Sequence, residues 1–305
     1  MSNSHKGVTR FETSSWSDFV TYKLENGTGH GHITPYALAK NYLEISATNL
    51  FRTRLGIDHV NMSRPEWSNL VFFMRYQEIT LKPEFYELLN CPRSMGNDDY
   101  TPVSLSIESG LSYVGKSSFV IVQTLTVNGQ YVGEQHMQIC CINSQLRKTT
   151  QLPDSFLTNP NVVPFRTLKR PNFPHKFGAD NLVGSVDRLD FPVGLVKHYP
   201  CFRVVFMSDT DENNHLNEAG YIRFIMDACH KLLPNCNKST HVSCIKGNST
   251  IEFFSFNNYI GLYKQELREG DAVTISLYQN GNTITAQMRQ NETSVFEAEI
   301  EFEIY

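Results

Sequence analysis

The sequence lacks the features that would carry the chain across a membrane or onto a nucleic acid. It has no apolar run of the roughly 18 residues that a membrane-spanning helix needs, and residues 1–16 lack the apolar core of a signal peptide. Lysine and arginine together number 27 against 31 acidic residues, and no long basic run occurs. We therefore expect a cytoplasmic protein with no membrane span, whose partner is neither nucleic acid nor an anionic membrane.

The sequence also lacks the usual patterns of metal and disulfide sites. Its seven cysteines are odd in number and show no Cys-x-x-Cys spacing, so we expect reduced thiols rather than a disulfide framework. His30 and His32 stand close together, but no cysteine or carboxylate directly adjoins them to complete a zinc site. We predict that the protein needs neither a metal nor a cofactor.

Two common functional signatures are absent as well. No Gly-x-Ser-x-Gly motif is present, which argues against the nucleophile of an α/β-hydrolase. Gly27, Gly29 and Gly31 form a glycine-rich loop, but position 32 is histidine where a dinucleotide-binding loop has its third glycine. No βαβ pattern follows this loop, so we do not expect a dinucleotide site.

What the sequence does contain is a series of strand-like segments with two hairpin signals. Asn128-Gly129 and Asn280-Gly281 each separate two runs rich in β-branched and aromatic residues, which is the signature of a two-residue hairpin turn. The expected strands are 69–80, 103–107, 117–127 and 131–142 in the first half, and 202–207, 249–256, 259–267, 272–279, 283–290 and 295–304 in the second. Short strands of this kind predict antiparallel sheets.

Each half also contains one helix with an apolar face. The first is expected to begin at Pro35, where a missing N–H costs nothing, and to run to about Arg54, with Gly56 as its stop. The second is expected over residues 218–232, with Asn217 as its N-cap.

The two halves are related as an internal repeat. When His215 is aligned with His32, the apolar positions of the two helices coincide. The matched pairs are Tyr221 with Leu38, Ile225 with Tyr42 and Ala228 with Ile45. We expect residues 1–150 to form a first repeat and residues 198–305 a second, joined by a proline-rich connector over residues 151–197 that packs on the folded protein.

A cluster of polar residues precedes the second helix. The segment reads Asp209-Thr-Asp211-Glu-Asn213-Asn-His215-Leu-Asn217, with Tyr221 in the helix that follows. In this strand–loop–helix context it resembles the hotdog thioesterase superfamily, in particular the acyl-CoA and acyl-carrier-protein thioesterases. Their pattern is Asp-x-Asp-x-x-x-His-x-Asn followed by a helix with an early aromatic residue. The resemblance covers about residues 200–280, with a weaker echo over residues 26–150.

The resemblance implies a fold and an activity. The implied fold is of the α+β class, a double hotdog in which each repeat wraps a curved antiparallel sheet around a central helix. Two such sheets can join edge to edge, which removes exposed edges. The implied activity is hydrolysis of an acyl-CoA or acyl-carrier-protein thioester to the free acid and thiol. A homodimer is compatible with the fold.

The resemblance also implies roles for individual residues of the second repeat. Asp211, Asn213 and His215 correspond to the catalytic set, with Asp211 as the general base. Asn217 and Tyr221 are expected to contact the substrate.

The first repeat is degenerate at the matching positions. It carries Thr28 where the second repeat has Asp211, although His32 matches His215, so the resemblance implies a single active site between the repeats. Thr28 and His32 are expected to contact the substrate there. Related enzymes use a further acid or thiol on a later strand. Glu252 is available in that region but in a poor register, and this assignment stays open.

Other interpretations of the same residues remain. Asp211 also fits a turn-capping role, and Asn217 fits a purely structural N-cap. A non-catalytic acyl-binding or scaffold protein on the same fold would explain the degenerate first repeat. A hotdog hydratase is disfavoured, because that class uses Asp-x-Asn-Pro-x-His and this chain has no proline in the motif.

Overall fold

The computed structural model of the chain describes residues 17–24, 35–57, 63–90, 103–169, 199–211, 214–232, 241–246, 249–254, 256–280 and 283–301. Its helices are α1 (Pro35–Leu38), α2 (Glu44–Leu50), α3 (Pro83–Asn90), α4 (Asp154–Leu157) and α5 (Glu218–Leu232). π-Helical turns at Ala39–Leu43 and Phe51–Leu55 join α1 and α2 into one continuous run, the first central helix, and α5 is the second.

Most strands belong to one large antiparallel sheet. The strands are β1 (Ser17–Leu24), β2 (Leu70–Leu81), β3 (Val103–Val114), β4 (Ser118–Val127), β5 (Gln130–Asn143), β6 (Lys148–Thr149), β7 (Tyr199–Val204), β8 (His241–Lys246), β9 (Ser249–Phe254), β10 (Asn258–Tyr263), β11 (Ala272–Asn280), β12 (Thr283–Gln290) and β13 (Thr293–Glu301). Their order is β1-β3-β4-β5-β2-β10-β13-β12-β11-β7, with β6 beside β5 and with β8 and β9 forming a separate pair.

The two repeats are joined through their sheets. β2 of the first repeat pairs with β10 of the second, so that Gly261 lies opposite Gln77 in the register. Each half of the sheet covers one central helix, and the two helices contact each other through α1 and α5. This is the predicted double hotdog architecture.

Local sequence signals set the ends of the elements. The first central helix begins at Pro35 and stops at Gly56, whose φ of 69° is the left-handed conformation of a helix C-cap. Asn128 and Gly129 have φ values of 50° and 82° and turn β4 into β5, as predicted. Asn280 pairs with Thr283 across the second hairpin, whose Gly281 lies outside the described residues. The helix α3 and the extension of β3 to Val114 were not expected from the sequence.

The described residues form two hydrophobic clusters. The first includes Tyr221 of α5 together with Tyr259 and Phe296, and the second lies inside the first repeat and includes Phe119. Phe156, in the described part of the 151–197 connector, is buried in the second cluster, so this part packs on the first repeat.

Two further observations concern the described residues as a whole. Cys140, Cys141, Cys201 and Cys229 are buried free thiols. No helix in the part of the chain that the structure describes is long and apolar enough to cross a membrane.

Candidate functional site

The polar segment forms a compact loop between β7 and α5. Asp209 ends a 3₁₀ turn and is buried, and its carboxylate accepts hydrogen bonds from the Phe206 amide at 3.0 Å and from the Arg223 guanidinium of α5. This carboxylate therefore ties the start of the loop to the helix that follows it, which is a structural role.

Asp211 closes the centre of the loop. Its Oδ1 accepts the His215 backbone N–H at 3.0 Å, and its own N–H donates to the His215 carbonyl at 2.8 Å. Asn214 sits at the turn with a left-handed φ of 61°, a conformation that asparagine tolerates. One Asp211 oxygen thus orders the loop while the side chain stays partly exposed.

His215 is held beside an acid that the sequence did not single out. An isolated β-bridge pairs His215 with Arg268, and this bridge brings the imidazole Nε2 to 3.7 Å from Oε2 of Glu266. Glu266 is nearly buried, with 11% of its side chain exposed. This separation is longer than a hydrogen bond, but the two groups are close enough to form one in a substrate complex.

The first repeat also reaches this acid. Arg147 lies in the turn between β5 and β6, with a left-handed φ of 52°, and its Nη2 is 2.7 Å from Oε2 of Glu266. Glu266 therefore stands between a histidine of the second repeat and an arginine of the first. The local group of charged side chains is shared by both repeats.

Asn217 caps α5 at the edge of the same loop. Its Oδ1 accepts the Gly220 N–H at 2.7 Å, which is the bond of a helix N-cap, and its Nδ2 donates to the Asp209 carbonyl at 2.9 Å. Both polar groups of the side chain are engaged in the fold, and the residue is buried. The loop leads directly into the N-terminus of α5, where the helix dipole favours negative charge.

Replacing Asn217 by alanine is expected to lower the free energy of unfolding by about 1–2 kcal/mol, because the cap and its bond to the loop are both lost. Urea unfolding measures this change. Asn217→Ser is the matched control, since its hydroxyl can accept the capping N–H while the bond to the Asp209 carbonyl is lost. Equal losses in the two variants would contradict the capping role.

Tyr221 lies on the inner side of the site. Its ring is buried, and its hydroxyl donates to the carbonyl of Gln265 at 3.2 Å, one residue before Glu266. Burial raises the pKa of this hydroxyl, so it stays neutral. Its position between the core and the charged group is compatible with the substrate contact expected from the sequence.

The structure describes only some of the other residues that the sequence predicts for the site. Asn213, Thr28 and His32 lie outside the described residues. Glu252 lies on β9, opposite Ser243 of β8 in the separate two-stranded pair, whereas the acid that contacts the His215 side chain is Glu266. Glu266 follows β10 and is brought to His215 by the bridge between the two loops, so no pattern in the sequence indicates this contact.

Within the described residues, no group of three or more histidine, cysteine, aspartate or glutamate side chains has the arrangement of a metal site. The chemistry available to the described residues is that of acids, a histidine and the amides of a helix N-terminus.

Replacing Glu266 by glutamine is expected to lower kcat for the reaction proposed below by about tenfold with little change in KM, because the variant removes the charge that faces His215 and keeps the side-chain volume. Steady-state kinetics measures both constants. Glu269→Gln, an exposed position in the same loop, is the control and should behave as the wild type. A change confined to KM would contradict this positioning role.

No family model matches the sequence, and no curated protein matches it. Solved structures do match over nearly the whole chain. An acyl-ACP thioesterase from Bacteroides thetaiotaomicron superposes with a TM-score of 0.63 at 16% identity, covering 94% of this chain and 98% of that one. A putative oleoyl thioesterase from Lactobacillus plantarum gives 0.65 at 11% identity, covering 96% and 98%. The 12:0-ACP thioesterase from Umbellularia californica gives 0.62 at 11% identity, covering 95% and 98%.

Proposed function

We propose that the protein hydrolyses an acyl thioester, with acyl-CoA or an acyl-carrier protein as the substrate and the cytoplasm as its location. One observation carries the proposal: in the loop that leads into α5, Asp211 accepts the backbone N–H of His215, whose side chain lies beside Glu266, on a fold shared with three solved thioesterase structures.

The proposed reaction needs one base and one site for negative charge. Asp211 takes a proton from a water molecule as its oxygen adds to the thioester carbonyl carbon. The negative charge that develops on the carbonyl oxygen is stabilised by amides in the first turn of α5 and by the helix dipole. The carbon–sulfur bond then breaks, and the proton held by Asp211 passes to the sulfur, which leaves a carboxylic acid and a thiol.

The other members of the proposed site assist this step. His215 and Glu266 orient the water and offset the charge that develops on it as it reacts. Asn213 belongs to the same set by its place in the motif. Tyr221, Asn217, Thr28 and His32 belong to the proposed substrate contacts. Asn217 would act there through the helix terminus that it caps.

A second function, acyl binding without turnover, is supported by one specific observation. The Asp211 carboxylate already accepts a hydrogen bond that orders its own loop, a use that requires no catalysis. On this alternative the fold would hold an acyl group as a carrier or scaffold, and the charged residues would be structural.

Release of free thiol from short-, medium- and long-chain acyl-CoA and acyl-carrier-protein substrates tests the proposal. The wild type is expected to exceed an Asp211→Ala variant on at least one of them. If both proteins release thiol at the same rate on every substrate, the enzyme proposal fails. An acyl ligand that co-purifies in native mass spectrometry would then favour the binding function.

A further inference from the structure

A row of buried polar side chains crosses the core of the first repeat. Its members are Ser46 of α2, Ser109 of β3, Gln123 of β4, Gln135 of β5, Gln77 of β2 and Tyr263 of β10. None is more than 3% exposed. Apolar residues lie on both sides, as with Ile121 and Leu125 flanking Gln123 on β4, and these two belong to different hydrophobic clusters. The row therefore divides the apolar interior in two.

Hydrogen bonds connect the row from one end to the other. The Ser46 and Ser109 hydroxyls are 2.7 Å apart, and Gln123 Nε2 donates to Ser109 at 2.8 Å. Gln135 then donates to Gln123 at 2.9 Å. The last two bonds are those from Gln77 to Gln135 at 3.3 Å and from the Tyr263 hydroxyl to Gln77 at 2.6 Å. A connected network of this kind satisfies its own members and ends at Tyr263.

Beyond Tyr263 the polar groups are no longer satisfied. Oε1 of Glu218 is buried and has no hydrogen-bond partner among the residues that the structure describes. The Tyr259 hydroxyl is also buried; it lies beside the Tyr263 hydroxyl but makes no hydrogen bond of normal geometry to any described residue. Tyr259 is fully buried, and its hydroxyl is 2.8 Å from where a Cβ on Gly261 would lie, so only glycine leaves room for it. Buried polar atoms without partners are costly, and each calls for an explanation such as a bound ligand or a water.

These unsatisfied groups adjoin the candidate site. The Tyr263 ring is 5.1 Å from the Tyr221 ring, and the Tyr221 hydroxyl binds the carbonyl next to Glu266. Glu218 is the first residue of α5, the helix whose first turn is proposed above to stabilise the reacting thioester. An acyl group that extends inward from the thioester position would therefore meet polar atoms before the apolar core.

Both groups are neutral donors at physiological pH. Burial, with the nearby Glu44 carboxylate adding and Lys40 opposing, raises the pKa of Glu218 to about 8, so this carboxyl is mostly protonated at pH 7. Burial likewise raises the pKa of the Tyr259 hydroxyl. A protonated carboxyl and a phenol each donate and accept a hydrogen bond, which suits a hydroxyl or carbonyl oxygen better than a methylene group.

We propose that the acyl group taken by this site carries a hydroxyl or oxo oxygen, which the Tyr259 hydroxyl and the Glu218 carboxyl bind at the inner end of the site. This inference rests on the proposed thioesterase function and specifies its substrate class. A plain alkyl chain would leave both polar groups buried and unpaired, and such a mismatch is the strongest source of discrimination that a polar pocket offers.

Matched thioesters test this preference. The probes are octanoyl-CoA, 3-hydroxyoctanoyl-CoA and 8-hydroxyoctanoyl-CoA, which share a chain length and differ in the presence and place of the oxygen. At least one hydroxylated probe is expected to show a kcat/KM about tenfold or more above octanoyl-CoA. Tyr259→Phe is expected to lower that ratio about fivefold or more, and Tyr113→Phe, near Gly115 at the β3–β4 hairpin, should leave it unchanged.

A second pair of variants covers the case in which Tyr259→Phe does not fold. Glu218→Gln keeps a donor and an acceptor and should retain most of the preference, whereas Glu218→Leu should lose it. A purely structural residue would not separate these two variants by substrate ratio. The inference is overturned if all three probes are turned over equally. It is also overturned if neither Tyr259→Phe nor Glu218→Leu changes the ratio of kcat/KM between a hydroxylated probe and octanoyl-CoA. Either result indicates that water alone occupies the position.

Calorimetry with the non-hydrolysable thioether analogues of the same three probes separates this inference from the proposed function. If the wild type hydrolyses no thioester but binds a hydroxylated analogue more tightly than the octanoyl analogue, the hydrolase proposal fails and the preference for oxygen stands. If it hydrolyses octanoyl-CoA best and binds the octanoyl analogue best, only the substrate inference fails.

Discussion

Replacing Asp211 by asparagine is expected to lower kcat for thioester hydrolysis by about 10²–10⁴-fold, the contribution typical of a general base. The substitution is informative because the asparagine Oδ1 can still accept the His215 backbone N–H that Asp211 accepts at 3.0 Å. The loop therefore keeps its order while the side chain loses its basicity. Thiol release under saturating substrate gives the value of kcat.

Two controls separate the catalytic from the structural role of Asp211. Asp227→Asn removes the same charge from an exposed position on α5, where the carboxylate is 3.6 Å from Arg203, and should leave kcat unchanged. Asp211→Ala removes both the base and the loop bond and should also lower the melting temperature. If the asparagine variant works within about threefold of the wild type and only the alanine variant fails, Asp211 orders the loop and is not the base.

The wild type is expected to become less stable as the pH rises, and replacing Glu218 by glutamine is expected to abolish this pH dependence. The carboxyl is buried between the two central helices, facing Glu44 and Lys40 of the first helix and the hydroxyls of Tyr259 and Tyr263. Burial first, and then the Glu44 charge, raise its pKa from 4.5 to about 8, against the opposing effect of Lys40.

The direction of the effect follows from proton binding. Between the unfolded pKa of 4.5 and the folded pKa of about 8, the folded protein holds a proton on Glu218 that the unfolded chain has released. Stability therefore falls as the pH rises through this window and is constant, for this group, above it. Each pH unit contributes about 1.4 kcal/mol, so the wild type loses up to about 5 kcal/mol across the window. Glu218→Gln has no ionisable group at this position and loses no stability from it across the same pH window.

Denaturant unfolding at pH 5, 6.5 and 8.5 measures this difference. The advantage of Glu218→Gln over the wild type should grow by about 3–5 kcal/mol from the lowest to the highest pH. Glu269→Gln, at an exposed position, should give a pH curve parallel to that of the wild type. Parallel curves for the Glu218 variant would show that this carboxyl is ionised in the folded protein and that its surroundings accept the charge.

The elements of the fold could be predicted well where their signals are local. The span of α5, its Asn217 cap, the Gly56 stop and the Asn128-Gly129 hairpin each depend on residues within a few positions of one another. The matched helices then indicated two repeats of one architecture. α3 was not predicted because its eight residues, Pro83–Asn90, are too few to show a clear helical period. They also lie between a strand and a turn-rich segment.

Part of the candidate site could also be predicted, because that part depends on residues close together in the sequence. Asp211 and His215 lie in one loop, and the motif placed them together before the structure did. Their catalytic roles, like the boundaries of the repeats and the connector, stay predictions. Glu266 was missed because it is distant in sequence from His215, and Arg147 because it belongs to the other repeat.

By itself, the sequence determined the central helices, most of the strands and the polar loop that opens α5, since capping, turn formation and apolar periodicity are properties of neighbouring residues. Only the tertiary structure decided which acid faces His215 and that Arg147 of the first repeat reaches this acid. It also decided that, among the described residues, a buried carboxyl oxygen of Glu218 and the buried Tyr259 hydroxyl make no hydrogen bond of normal geometry. The register of β2 against β10 and the contact between the helices bring these distant positions together. Burial then changes the chemistry of a carboxyl that the sequence shows only as the first residue of a helix.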